Sequence, residues 1–460
     1  MTLIKSISGI RGTIGGEPDN NLTPLDLVKF ASAYGSWIKE QSSNKAVKIV
    51  IGRDARLSGA MVEAIVVNSL IALGIDVINL GLSTTPTVEL AVPMEGADGG
   101  IILTASHNPK QWNALKLLNS KGEFIDAKAG EMILERAVKE DFSYAEVDDL
   151  GIETKDDSYL QKHIDAVLNL SLVEKEQIAK KGFKVVVDGV NSTGGIFIPA
   201  LLEQLGVEVV KLYCDPTGHF PHNPEPLEKH LGAIMEAVVT HKADFGIVVD
   251  PDVDRLAFIS EDGSMFGEEY TLVACADYVL SKTPGSTVSN LSSSRALSDI
   301  ANLHKGSYTA ASVGEVNVVQ CMKDTNAIIG GEGNGGIIYP ESHYGRDALV
   351  GTALFLMLLS EKNIKVSELR ASYPAYFMRK DKIELDASID VDKLLNEVKQ
   401  RYQHECINTQ DGVKIDFENH WVHLRKSNTE PIIRVYTEAA SVAEAESVAN
   451  AMMDEIKSLV

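Results

Sequence analysis

The sequence predicts an α/β protein of four domains, three related α/β units in series followed by a smaller α+β unit. Three observations predict it. A strand, a glycine turn, a helix and a second strand recur along the chain. The strands of these repeats are apolar throughout. The C-terminal part then changes character, to alternating strands and two amphipathic helices.

The first repeat opens at residues 48–52, Lys-Ile-Val-Ile-Gly, an apolar strand closed by glycine. An apolar helical run follows and stops at Leu73-Gly74, where glycine suits a helix C-terminus, and residues 76–80 form the second strand. The same order returns from residues 184–188 through the run 198–202 to Leu205-Gly206 and the strand 207–212. Each repeat is a βαβ unit, and strands this apolar suit a parallel sheet covered on both faces. A third copy begins at residues 286–290. From Tyr373 onward the strands 382–385, 421–424 and 432–436 alternate, with helices near 391–402 and 442–459. Polar breaks near 155–158, after Arg255 and near 372–374 divide the chain into residues 1–155, 156–255, 256–371 and 372–460.

A chain of 460 residues, 44% of them hydrophobic, has material for several cores. Its 65 acidic residues against 43 Lys plus Arg give a net charge of −22, which argues against nucleic acid or an anionic membrane as main partner. An anionic ligand would need the scarce cations gathered at its site. The four cysteines, Cys214, Cys275, Cys321 and Cys406, lie far apart with no C-x-x-C pair, as in a reducing compartment. The N-terminus turns polar before a signal-peptide core can form. The apolar stretch 348–359 falls short of the ~20 residues that span a bilayer, so it reads as a buried helix and the protein as cytoplasmic.

Four runs carry chemistry. Thr104-Ala-Ser106-His107-Asn-Pro109 follows the apolar run 100–103. A strand ending there exposes the Ser106 hydroxyl at the sheet edge where α/β proteins bind ligands, with His107 and Lys116 as donors to an anion. Alone, the run also fits an Asn-Pro turn satisfying its own backbone. Asp250-Pro-Asp252-Val-Asp254-Arg255 follows the strand 245–249; three carboxylates so close repel unless a cation holds them, and hard oxygens suit Mg²⁺. Arg255 beside them would hold phosphate or a sugar hydroxyl.

Gly330-Gly-Glu332-Gly-Asn334-Gly-Gly336 lets backbone approach a ligand, with Glu332 and Asn334 placed for vicinal hydroxyls. Its rivals are a plain turn and a phosphate loop, though Glu332 would repel phosphate and the Lys-Ser/Thr ending is absent. Arg425-Lys-Ser427-Asn428-Thr429-Glu-Pro431, with Arg434, packs cations and small donors into one turn. That suits a phosphate nest or a solvated basic turn. One run falls in each domain, so together they describe a cleft between four domains.

In this order and spacing the runs resemble the α-D-phosphohexomutase superfamily, whose signatures are T-x-S-H-N-P, D-P-D-x-D-R, G-E-x-x-G and R-x-S-x-T-x-P. Gly9-Ile10-Arg11-Gly12 is in place as well. The resemblance covers the whole chain and implies a heart-shaped, four-domain protein with mixed sheets. It implies a phosphorylated Ser106, one Mg²⁺ per chain held by Asp250, Asp252, Asp254 and a phosphoserine oxygen, and a sugar 1,6-bisphosphate as intermediate and activator. Arg11, His107, Lys116 and Arg255 would line the reaction centre, Lys116 shuttling a proton. Glu332 and Asn334 would read the sugar; Arg425, Ser427, Asn428, Thr429 and Arg434 would hold the non-reacting phosphate. The partner is a hexose or hexosamine phosphate, and the protein a monomer or homodimer.

Four positions depart from the pattern: Val253 and Ala114 replace smaller residues, and Glu315 and Gly336 stand where many relatives carry His. Two carboxylates, Glu315 and Glu332, facing the ring would favour an ammonium group. The G-E-G-N-G-G form, Gly345-Arg-Asp-Ala348 and the Thr429-Glu-Pro431 ending resemble the branch that includes phosphoglucosamine mutases. Interconversion of glucosamine 6-phosphate and glucosamine 1-phosphate is therefore the expectation, with mannose or glucose phosphates as the alternative. A phosphatase would need a second metal cluster, and a mere binding protein no nucleophile.

Overall fold

The computed structural model describes residues 2–6, 9–44, 46–386, 389–426 and 432–459. These form four sheets. The first runs Ile4–Ser6, Gly9–Thr13, Trp112–Leu118, Gly99–Leu103, Lys48–Arg53, Asp76–Leu82 and Glu153–Lys155. Lys48–Arg53 pairs in parallel with both Asp76–Leu82 and Gly99–Leu103, which is the expected βαβ unit. Its helix Gly59–Ala72 is followed by Gly74 at φ +74°, a left-handed turn that only glycine adopts freely.

The second sheet runs Leu256–Ser260, Phe245–Val249, Lys184–Asp188, Glu208–Leu212, and the third Ser307–Ala311, Ser286–Asn290, Ile329–Glu332, Gly336–Ile338. The parallel character expected from apolar strands holds for all but one strand of each of these two sheets, and breaks likewise at one strand inside the first. Trp112–Leu118 runs antiparallel on Gly99–Leu103, Leu256–Ser260 on Phe245–Val249, and Gly336–Ile338 on Ile329–Glu332. The reason is connection length. A parallel neighbour needs a crossover of roughly a dozen residues or more, and these loops are too short for one. Leu256–Ser260, which the sequence reading puts at the start of the third domain, therefore belongs to the second sheet. The consequence is functional: the serine, aspartate and glycine-rich runs all lie in hairpin turns at the C-terminal ends of corresponding strands.

The fourth sheet is antiparallel, in the order Phe377–Glu384, Ile432–Ala439, Trp421–Lys426, Val413–Asp416, Cys406–Asn408. The two expected helices lie at Val391–Arg401 and Val442–Ser458. Helix Ala348–Lys362 is buried along residues 348–360 and capped by Asp347, whose side chain accepts from the amides of Leu349 and Val350. Among the described residues no helix is long and apolar enough to cross a membrane. Phe355 of this helix stacks on Phe258 at 3.7 Å, inside one apolar core that joins second and third domains. The fourth domain has a core of its own, around Val398, Ile415, Leu424, Val435 and Ile456.

Candidate active site

Ser106 sits at φ +47°, a left-handed conformation uncommon outside glycine, so neighbours must hold it there. Its amide donates to Thr104 Oγ1 at 2.9 Å, and that hydroxyl donates to Asp54 Oδ2 at 2.6 Å. Arg56, pinned by its own Nε to Asp54 Oδ2 at 2.9 Å, donates to the carbonyls of Ser106, Asn108, Pro109 and Trp112. A buried guanidinium thus gathers the whole serine loop. Sequence reasoning passed over this Asp54–Arg56 pair. Its signal was there, in a charged Arg53-Asp-Ala-Arg56 run directly after an apolar strand.

The result aims the serine at the aspartates: Ser106 Oγ donates to Asp250 Oδ2 at 2.6 Å. His107 Nδ1 lies 3.3 Å from Ser106 Oγ. Burial and then the Arg255 charge push His107 down to about 2, so the imidazole is neutral at physiological pH.

Asp250, Asp252 and Asp254 are all buried, and each offers an oxygen within 4.8 Å of the others. Asp250 Oδ1 accepts from the amides of Asp254 and Arg255, at 3.2 and 3.1 Å. Asp252 Oδ2 accepts from Thr85 Oγ1 at 2.6 Å and Lys116 Nζ at 2.7 Å. Asp254 Oδ2 accepts from Lys116 Nζ at 3.3 Å and Arg346 Nη2 at 2.5 Å. The Oδ1 atoms of Asp252 and Asp254 are buried without a partner. Burial, then repulsion from Asp252 and Asp254, raises Asp250 well above the usual carboxylate range. Orphaned oxygens on crowded carboxylates are a fit for a hard divalent cation. Val253, in the centre of the loop, takes φ +64°, which is strained for a β-branched residue.

Lys116, on Trp112–Leu118, is the ammonium that faces this trio. Burial works against its charge, but Asp252 and Asp254 outweigh it and hold its pKa above the ordinary lysine value. Arg255 reaches Glu225 Oε1 at 3.5 Å and keeps its Nε buried and unpartnered. Arg11 likewise keeps an unpartnered Nε, its pKa lowered by burial and then by the Arg434 charge. Arg425 pairs with Asp411 at 2.9 Å. Ser427, Asn428 and Thr429 lie outside the described residues.

The glycine-rich loop differs from expectation in one respect. Glu332 does not present a free carboxylate: it accepts from Asn290 Nδ2 and Arg346 Nη1, both at 2.9 Å. Glu315 lies 3.0 Å from Arg346 Nε and accepts from the Arg346 amide, also at 3.0 Å. Both carboxylates expected to attract an ammonium group are already paired with one guanidinium. The charge argument for an amino sugar therefore loses its basis. Asn334 Nδ2 lies 3.4 Å from Glu332 Oε2.

A four-domain chain with this architecture is an α-D-phosphohexomutase. Its sequence matches the phosphoglucomutase/phosphomannomutase alpha/beta/alpha domains I, II and III over residues 3–144, 161–263 and 267–376, and the C-terminal domain over residues 361–455. The chain belongs to the phosphoglucomutase/phosphomannomutase family, and it is an isomerase of the phosphohexomutase type. A Thermococcus kodakarensis protein named phosphoglucomutase/phosphomannomutase is 36% identical over 440 residues, 94% of this chain and 95% of its own. A Sulfurisphaera tokodaii phosphoglucosamine/phosphogalactosamine mutase is 32% identical over 459 residues, 98% of each chain. A solved Burkholderia thailandensis phosphoglucomutase/phosphomannomutase family protein superposes with a TM-score of 0.85 at 24% identity, covering 99% of this chain and 98% of that one.

Proposed function

We propose that the chain interconverts glucosamine 6-phosphate and glucosamine 1-phosphate in the cytoplasm, through a phosphoserine at Ser106 and a sugar 1,6-bisphosphate. The observation that carries the covalent step is the 2.6 Å contact from Ser106 Oγ into the aspartate trio. Mg²⁺ held by Asp250, Asp252 and Asp254 would neutralise the oxygens of the phosphoryl group in transit.

The residues divide the remaining work. A sugar hydroxyl attacks the phosphoserine phosphorus; the new P–O bond forms as the P–O bond to Ser106 breaks, and the hydroxyl proton passes to a nearby base. Lys116, a firm ammonium, returns a proton to the departing Ser106 oxygen. The bisphosphate then turns, and Ser106 takes back the other phosphoryl group. Arg11 lines the reaction centre beside Lys116; Arg425 and Arg434, with Ser427, Asn428 and Thr429, hold the phosphate that is not reacting, while Glu332 and Asn334 fix the ring.

The amino-sugar reading rests on the loop patterns and on the Sulfurisphaera relative. The pairing of Glu315 and Glu332 with Arg346, and the Thermococcus relative, favour a second reading, turnover of glucose and mannose phosphates. Parallel kinetics on glucosamine, N-acetylglucosamine, glucose and mannose phosphates, with a sugar bisphosphate as activator, decides between them. Glucosamine phosphate is expected to give the highest kcat/KM. A higher value for glucose or mannose phosphate hands the assignment to the second reading, and release of free phosphate would mark a hydrolase instead.

A further inference from the structure

We infer that Arg346 is a positioning residue that ties the aspartate loop to the sugar loop, so that cation and sugar sites are set together. The inference rests on the metal and sugar roles proposed above. Arg346 is 7% exposed, and each of its three guanidinium nitrogens faces a carboxylate from a different segment. Nη2 donates to Asp254 Oδ2 at 2.5 Å, Nη1 donates to Glu332 Oε2 at 2.9 Å, and Nε lies 3.0 Å from Glu315 Oε2. Because Oδ2 of Asp254 is taken, its Oδ1 is the oxygen left without a partner.

Gly336 makes room for this arrangement. A Cβ there would lie 2.3 Å from Arg346 Cδ, in the middle of the side chain. Glu315 and Gly336, two of the departures read in the sequence, are thus the pairing partner and the clearance of one guanidinium. A lysine cannot reproduce the fork, because an ammonium is a single point of charge and cannot span three carboxylates. Losing the fork leaves Glu332 and Glu315 buried without the guanidinium that neutralises them, and leaves Lys116, among the described residues, as the one cation on Asp254 Oδ2. Because one rigid group touches both loops, occupancy of either site biases the other, and this coupling is reciprocal.

Calorimetric titration of Mg²⁺ alone, of glucose 6-phosphate alone, and of Mg²⁺ at saturating glucose 6-phosphate tests it. The proteins are the native chain, Arg346→Lys and Gly336→Ala, each checked by thermal melting. Glucose 6-phosphate should tighten Mg²⁺ binding in the native chain. In both variants the Mg²⁺ Kd should rise by about tenfold or more, the scale on which partners behind metal ligands act, and the tightening should vanish. Combining the substitutions should add less than their sum, since both act on one group. Gly336→Ala keeps every charge, so it reads the same quantities should Arg346→Lys fail to fold. A folded variant with native Mg²⁺ affinity and intact tightening overturns the inference, as does a native chain that binds no Mg²⁺. A native chain that binds Mg²⁺ but turns over no hexose phosphate sinks the proposed activity instead, and the Mg²⁺ titrations still decide the clamp.

Discussion

Between the second and third domains Phe258 stacks on Phe355 at 3.7 Å, and Phe245 and Phe266 meet the same ring at 5.6 and 5.4 Å, all within one apolar core. Between the third and fourth domains the contacts are of another kind. Arg295 donates to the carbonyls of Phe417, Glu418 and His420, Ser292 Oγ lies 2.9 Å from His423 Nδ1, and the Val313 amide donates to Asp411 at 2.9 Å. Water can replace hydrogen bonds of this sort, but it cannot replace a shared core without exposing apolar surface. The aspartate and glycine-rich loops thus stand on one fused body, and the basic strand end with Arg425 and Arg434 on a body joined through polar contacts. That division would suit the proposed reaction, in which an intermediate turns around while the aspartate loop stays fixed and the basic strand end yields.

The largest expected effect lies outside both junctions, at the serine loop that the first domain aims at the fused body. Ser106→Ala removes the proposed phosphoryl carrier and should lower turnover by at least about 10³-fold. Intact-mass analysis of the native protein should show a phosphate that maps to the peptide holding Ser106. A Ser106→Ala enzyme with native turnover would end the covalent reading.

A direct test of the comparison pairs one substitution from each junction. Phe355→Ala should cost about 3–5 kcal/mol in urea unfolding, because it opens a cavity in the shared core. Arg295→Ala should cost only about 1 kcal/mol. It should instead speed hydrogen exchange across the fourth domain and release more sugar bisphosphate into solution during turnover. Equal losses of stability from the two changes would show that both junctions are fused.

What the sequence disclosed follows from how the chemistry is encoded. The serine, aspartate and glycine-rich runs are legible because each is contiguous: a hairpin needs its residues side by side, and apolar strands lead into them. The helix Ala348–Lys362 and the two βαβ units were legible for the same reason, through periodicity and glycine stops. Arg56 and Arg346 were not. Arg56 acts on a loop fifty positions away, and Arg346 joins Asp254, Glu315 and Glu332 from separate segments, so no local pattern announces either. The same blindness explains the charge argument drawn from Glu315 and Glu332. Their acidity was plain, but the guanidinium that neutralises them was invisible without the fold. The antiparallel strands after these three loops were within reach, since the loops leading to them are too short for any crossover.

The smallest expected effect concerns a third kind of junction, polar yet buried, where first, second and third domains meet. His343 Nε2 lies 3.2 Å from Asp347 Oδ2, and its Nδ1 lies 3.3 Å from Glu89 Oε2; His163 Nε2 reaches Asp347 Oδ2 at 2.9 Å and its Nδ1 reaches Thr87 Oγ1 at 2.8 Å. Burial opposes the charge on His343, but Asp347 and Glu89 outweigh it and raise the imidazole to about 10. Burial, augmented by Glu315 and partly offset by His343, raises Glu89 to about 8. Both groups hold protons more tightly in the folded chain than at the unfolded values of about 6.5 and 4.3. Stability from them is therefore fully present at low pH and is lost as pH rises through those folded values. Asp347 has the opposite sign. Against the burial penalty, His163 and His343 depress it, so its contribution is present above pH ~4 and lost below. The melting temperature should accordingly decline from pH 6.5 to 10. The gap between the native chain and His343→Gln should narrow over that window by about 2 °C. If the gap is constant from pH 6.5 to 10, the imidazole is not charged in the fold, and this buried junction holds by neutral hydrogen bonds alone.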